Sequence, residues 1–236
     1  LLFSLPLILI FPVVSFWRET LPHWSGPGYY GAMLLAAAWL ASKNSIKIPN
    51  LIKLALALTL IVIVAGMGQI KGGWIIKPGG GDGFFRGKKD FSLDMYGWRQ
   101  VARKAVPLMD SLEKQGILKR GAAMVSFRWF PAANLDYYVA RPSGRKLLAC
   151  GPLHRIHHYQ WINHKRGGLQ PGEDAWYLVP GRDYRKPEDV CPGCWEEVIP
   201  VDTLPVLRGR DTVMYFFLYG MKGFKTCESF PTPQAN

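Results

Sequence analysis

Residues 54–70 read LALALTLIVIVAGMGQI, preceded at 48–53 by IPNLIK. The run holds no charged side chain. Counted from Leu51 it is long enough for a helix that crosses a bilayer, with Lys53 able to extend its ammonium to the surface. Working backward, residues 26–42 (GPGYYGAMLLAAAWLAS) and 1–17 (LLFSLPLILIFPVVSFW) are likewise uncharged. Pro6 and Pro12 would break a soluble helix, but in a membrane bundle neighbouring helices satisfy the freed carbonyls. Three such stretches within residues 1–70 predict three transmembrane helices, not three core helices of a soluble protein.

Charge divides the chain at the same place. Residues 1–70 carry Arg18, Lys43, Lys47 and Lys53 against Glu19, which leaves 25 of the 29 basic and 16 of the 17 acidic residues to the remainder. The net charge of +12 invites a nucleic-acid partner. The basic residues after position 70 are interspersed with acids and aromatics, however, and form no stripe. No nucleic acid is expected; the charge reads first as a generally basic solvated surface, and otherwise as one that suits anionic lipid head groups or phosphate-bearing substrates.

Orientation follows from the short loops. Lys43, Lys47 and Lys53 share one loop without an acid, whereas Arg18 faces Glu19 in the other. The lysine loop is expected in the cytoplasm. The 18–25 loop and everything after residue 70 then lie outside a multi-pass protein of the inner (plasma) membrane. The chain opens on Leu and is apolar at once, without the basic start and small-residue cleavage site of a signal peptide. Residues 1–70 are therefore expected to be the last spans of a larger bundle. Residues 71–93, with GGW and PGGGDG, read as a Gly-rich linker. The glycines lack the Gly-Lys-Ser/Thr ending of a phosphate loop.

Residues 94–236 read as a small extracytoplasmic α/β domain. Asp94 is a good helix N-cap, and Trp98, Val101, Ala102, Ala105, Leu108, Met109 and Leu112 recur at helical spacing behind it. Strands are expected at 122–127, 146–150 and 174–179, a short helix at 131–140, and a closing strand pair at 195–201 and 212–218. Helices alternate with strands early and strands dominate late, which predicts elements packed on one sheet.

The order of several stretches resembles a known family. LPHWSGPGYYGAMLLAAAWLA (21–41) is followed by the third apolar run, LDMYGWRQVARKAVPLM (93–109), FPAANLDYYV (130–139), HHYQWIN (157–163) and VMYFFLYGMKGF (213–224). Together they are similar to the C-terminal part of bacterial polyprenyl-phosphate-dependent glycosyltransferases. These belong to glycosyltransferase family 39, related to protein O-mannosyltransferases and the lipid A aminoarabinose transferase. The loop from His23 to Tyr29 resembles the family's Asn-Trp-Pro-x-Pro-x-Tyr-like element, with His23 where Asn is usual. Gly97-Trp98-Arg99 and, less closely, Tyr159-Gln160-Trp161 also resemble family patterns.

The resemblance implies an integral membrane enzyme that moves a sugar from a polyprenyl-phosphate donor to a glycan, lipid or protein acceptor of the cell envelope. The family's catalytic carboxylate lies in an earlier outer loop, so no catalytic residue is assigned here. Substrate-binding candidates are Arg18, His23, Trp24, Tyr29, Tyr159, Gln160 and Trp161. Cationic groups at the membrane surface would hold a lipid phosphate whose tail cannot leave the bilayer; Trp and Tyr also anchor helices there for structural reasons. The alternative is a membrane-anchored module that binds a glycan or partner without chemistry.

Cys150, Cys191, Cys194 and Cys227 leave several states open. Outside the cytoplasm structural disulfides are expected, with the pairing undetermined. Cys191-Pro-Gly-Cys194 could be a redox pair, or could join His154, His157, His158 and His164 in a zinc site; free thiols complete the set. No cofactor is expected. The sequence holds neither a Gly-x-Ser-x-Gly elbow nor a His-Glu-x-x-His helix.

Overall fold

The computed structural model describes residues 4–18, 22–43, 47–77, 83–227 and 230. Residues 1–3 of the first expected span, the Glu19 position, and residues 78–82 of the Gly-rich run lie outside the described residues. The chain divides into two compact units, residues 1–60 and 61–236.

In the first unit, helix α1 (Ser4–Val14) packs on α2 (Gly26–Ser42). Glycine makes the approach possible: a Cβ at Gly28 would lie 2.9 Å from Ile8 Cγ1 and 3.0 Å from the Ser4 carbonyl. Small residues at such crossings are how apolar helices come together in lipid. Helix α3 (Asn50–Gly72) runs from this unit into the second. Its 23 residues make a rod of about 35 Å, longer than the roughly 30 Å hydrocarbon layer. Among the described residues, α3 alone is long and apolar enough to cross a membrane, and α1 is a shorter apolar helix.

The second unit is an α/β domain around a mixed five-stranded sheet. Strands β1 (Ala123–Ser126), β2 (Leu147–Ala149) and β3 (Ala175–Pro180) are mutually parallel in the order β2-β1-β3. Strand β5 (Asp211–Phe224) pairs antiparallel with β3, and β4 (Trp195–Arg208) closes the edge. Alternation along each strand serves two cores. Met124, Leu147, Trp176 and Leu178 face the first, together with Val101, Ala105 and Met109 of α4 (Trp98–Lys114). Val125, Leu148, Tyr177 and Val179 face the second, with Trp195, Phe217 and Phe224. Burial on both faces explains why the parallel strands are largely apolar and carry no charged residue. On the first side lie α5 (Trp129–Leu135), which continues into a π turn (Asp136–Ala140), and α7 (Tyr159–Lys165). Two short helices, α6 (Leu153–Ile156) and α8 (Pro187–Val190), follow β2 and β3.

Asp94 does not cap α4. The helix starts four residues later, after Gly97, whose φ of 88° admits glycine readily and whose Cα sits so close to Val206 that a Cβ would come within 2.5 Å. Asp90 instead caps the 3-10 turn Phe91–Met95, accepting from the Ser92 amide. Asp94 pairs with Arg182.

The four cysteines form two disulfides, Cys150–Cys191 and Cys194–Cys227. Cys191 and Cys194 are thus not bonded to each other, and neither the CxxC redox pair nor a zinc site built on these thiols exists. The loops closed, 41 and 33 residues apart in sequence, correspond to about 4 kcal/mol each in the chain-entropy account. Disulfides fit an extracytoplasmic domain.

Residues 83–93, at the end of the segment expected as a linker, pack into the domain. Gln69 in the last turn of α3 is 2% exposed. Its Oε1 accepts from the Ile75 and Ile76 amides at 2.8 and 2.9 Å, and its Nε2 donates to Asp90 Oδ1 at 3.2 Å and Ser92 Oγ at 3.3 Å. Arg208, at the end of β4, donates to Asp90 Oδ2 at 2.8 Å and to Ser92 Oγ at 3.2 Å. Burial pushes the Asp90 carboxyl up, but the bonds from Ser92 and Arg208 outweigh it and hold the group below its usual range. This buried cluster clamps the end of α3 to the sheet.

Candidate basic cleft

The order β2-β1-β3 sends the chain from β1 to one side and then back across to the other. In open α/β sheets the carboxyl ends of the strands at such a reversal leave a crevice where ligands bind. Here that crevice is a cavity of about 530 Å³, within the range of small-molecule sites.

Each strand end supplies one wall. After β1 come Phe127, Arg128 and Trp129; after β2 come His154, Arg155 and His157 on and beyond α6; after β3 come Arg182, Asp183, Tyr184 and Arg185. Phe85 and Lys88 close the remaining side. The Cys150–Cys191 bridge joins the residue after β2 to the end of the loop after β3, and so ties two of the walls together.

Five lysine and arginine side chains, Lys88, Arg128, Arg155, Arg182 and Arg185, line the cleft against a single carboxylate, Asp183. Asp183 is occupied by Arg128 at 3.0 Å, and Arg182 by Asp94 outside the lining. Burial raises the Asp94 carboxyl even so, with Arg182 opposing it. Lys88, Arg155 and Arg185 have no ion-pair partner among the described residues. The wall after β3 is fixed from beneath: Tyr177 Oη donates to the Arg185 carbonyl at 3.1 Å, and the Tyr184 and Tyr219 hydroxyls are 2.6 Å apart.

His157 carries backbone strain. Its φ of 50° and ψ of −128° match the first central position of a type II′ turn, which favours glycine. Among the described residues it is the single non-glycine with positive φ. Its ring lies edge-on to Trp129, with centroids 5.8 Å apart. Strain of this kind costs about 1–3 kcal/mol and clusters at functional sites. Chemically, the cleft can hold an anion between guanidinium groups and flank it with aromatic faces.

The expected site residues lie elsewhere. Arg18, His23, Trp24 and Tyr29 belong to the first unit, exposed, with Trp24 edge-on to Phe11 at 5.9 Å. Tyr159 is 2% exposed in the first core, where burial raises its hydroxyl pKa well above the ordinary value. Gln160 and Trp161 are exposed on α7, and none of these three lines the cleft. Of the expected histidine cluster, His154 and His157 reach the cleft, whereas His158 lies against Tyr159 and His164 is on α7. Among the described residues no group of three or more His, Cys, Asp or Glu side chains could hold a metal ion. Lys88 belongs to the basic patch Arg86, Lys88 and Lys89 that the sequence shows, whereas the cleft arginines are spread from 128 to 185 and share only the signal that 128, 155 and 182 each follow a parallel strand by two to six residues.

Comparison with protein-family models finds no match, and no curated protein or solved structure matches the chain.

Proposed function

We propose that this chain is the C-terminal portion of an integral membrane glycosyltransferase, in which the α/β domain receives an anionic envelope substrate in its basic cleft. The observation that carries this is the cleft itself: five cations against one already paired carboxylate, at the carboxyl ends of the parallel strands. Sugar transfer from a polyprenyl phosphate develops and releases negative charge, which fixed cations stabilise. The resemblance of residues 21–41, 93–109, 130–139 and 213–224 to family 39 supplies the reaction class.

In this proposal α1 and α2 complete two further spans. α1 exposes Leu5, Leu7, Leu9, Ile10 and Val13, and α2 exposes Met33, Leu34, Leu35 and Trp39; apolar side chains all round suit lipid or neighbouring helices. The lysines near 43–53 face the cytoplasm and the disulfide-bonded domain faces outward. Arg18, His23, Trp24 and Tyr29 stand at the outer surface beside the lipid-borne donor. The catalytic carboxylate is contributed by another part of the enzyme.

Transfer of labelled sugar from a polyprenyl-phosphate donor, measured in membranes holding the complete protein, tests the proposal. Arg155→Glu with Arg185→Glu is expected to lower transfer at least tenfold. Transfer that is absent from the wild-type protein as well, with anion binding retained, would favour the second reading, a non-catalytic binding module. That reading draws support from the pairing of Asp183 with Arg128, which leaves the cleft no free carboxylate to act as a base.

A further inference from the structure

Phe85 and Lys88, which line the cleft, lie a few residues before Asp90 and Ser92 of the clamp. The stretch between them is anchored to β5 at Arg86 and Gly87. Arg86 Nη1 donates to the Thr212 carbonyl at 3.1 Å, and Gly87 backs onto the Val213 carbonyl. Lys88 and Asp90 are two residues apart, so their Cα atoms are within about 7 Å. The near rim of the cleft is therefore fixed next to the last turn of α3.

The surface around the clamp has the character of a bilayer interface. Trp74 is 67% exposed and lies against the glycine face of α3, at Gly68 and Gly72. Ile75, whose amide bonds to Gln69, is 71% exposed. Phe91, held between Asp90 and Ser92, is 69% exposed. Large apolar groups are otherwise costly in water, and Trp beside the end of an apolar helix marks the level of the head groups. The head-group layer is about 5–7 Å deep on each side of the hydrocarbon. Lys88, two residues from Asp90, is tied through the clamp to the end of α3.

We infer that the basic cleft takes the phosphodiester head group of an anionic phospholipid from the outer leaflet of the bilayer that α3 crosses. Lys88, Arg155 and Arg185 face the phosphate, with Arg128 and Arg182 behind them. Trp74, Ile75 and Phe91 rest among the acyl carbonyls beside it. The clamp then sets the height of the cleft, and the head group steadies the far wall of the domain. This rests on the proposed outward, membrane-facing placement of the domain, but not on sugar transfer.

The test is hydrogen exchange of the complete chain in nanodiscs, following amides 127–129 and 181–185. Nanodiscs of phosphatidylcholine alone are compared with nanodiscs containing phosphatidylglycerol. Slower exchange is expected with phosphatidylglycerol, reversed by 0.5 M salt. Each cation near the surface contributes roughly a fivefold gain in occupancy. Arg155→Glu with Arg185→Glu should therefore weaken binding of the head group at least about 25-fold, so that protection is lost at the phosphatidylglycerol content that protects the wild-type chain. The salt series on the wild-type chain serves if that variant does not fold. Equal exchange in both lipids overturns the inference. So does equal protection in phosphatidylcholine nanodiscs on adding millimolar glycerol phosphate, which would assign the cleft to a soluble anion. Sugar transfer assayed in the same nanodiscs separates the two proposals: protection without transfer removes only the glycosyltransferase, and transfer without protection removes only the lipid site.

Discussion

Replacing Asp90 with Ala should do more damage than its position in a presumed linker suggests. The Arg208 side chain is 1% exposed and that of Asp90 7%, so the variant strands a buried guanidinium without its counter-charge. Removing one partner of such a pair costs about 3–5 kcal/mol. The bonds from Gln69 Nε2 and Ser92 are lost with it. For a unit spanning residues 61–236, each kcal/mol moves the melting temperature by about 2–4 °C, so the expected drop is roughly 6–20 °C. Near-ultraviolet circular dichroism of the detergent-solubilised chain would follow the loss of the packed sheet. The double variant Asp90→Leu with Arg208→Met, apolar and of similar volume, should recover most of the loss. A single variant that melts within 2 °C of wild type would refute the placement of this pair in the interior, and with it the clamp.

Three further outcomes follow from the same structure. Because the folded Asp90 carboxyl is held below its usual 3.8, its contribution is complete above that pH and disappears as pH falls through the lowered value; Asp90→Asn should flatten that acid limb in a pH series of melts. Cys150→Ala with Cys191→Ala should cost about 4 kcal/mol and loosen the cleft, whereas Cys194→Ala with Cys227→Ala should cost a similar amount and leave anion binding at the cleft intact; thermal melts and binding titrations of the two variants decide this. His157→Gly should relieve backbone strain and raise stability by about 1 kcal/mol, read as a shift of a denaturation midpoint, while weakening anion binding through loss of the ring against Trp129.

Much of the architecture was legible in the sequence, for reasons visible residue by residue. The uncharged run at 54–70 became the core of α3, and the apolar clusters around Met124, Leu148 and Tyr177 became the parallel strands. The late strands run longer than the 195–201 and 212–218 segments that the local pattern predicts. Pro200, Asp202 and Pro205 look like breakers, yet β4 is the edge strand, where proline is tolerated, and the register shifts between Pro200 and Asp202. Asp94 has the chemistry of a cap, but the left-handed Gly97 and the turn built on Asp90 set the true start of α4. Four cysteines allow three pairings, and only the fold chooses between them. The cleft was hidden for a similar reason. Parallel connections bring Arg128, Arg155 and the Arg182–Arg185 segment together, and only their common place after a parallel strand links them in the sequence.

The clamp of Gln69, Asp90, Ser92 and Arg208 holds the cleft at a fixed place beside α3. Pulsed electron paramagnetic resonance between spin labels at Val64 on α3 and Lys186 beside the cleft, in the complete chain in nanodiscs, measures this directly. A single narrow distance distribution, broadened by Asp90→Ala, is the predicted result. A broad distribution in the unmodified chain, unchanged by that substitution, would contradict it.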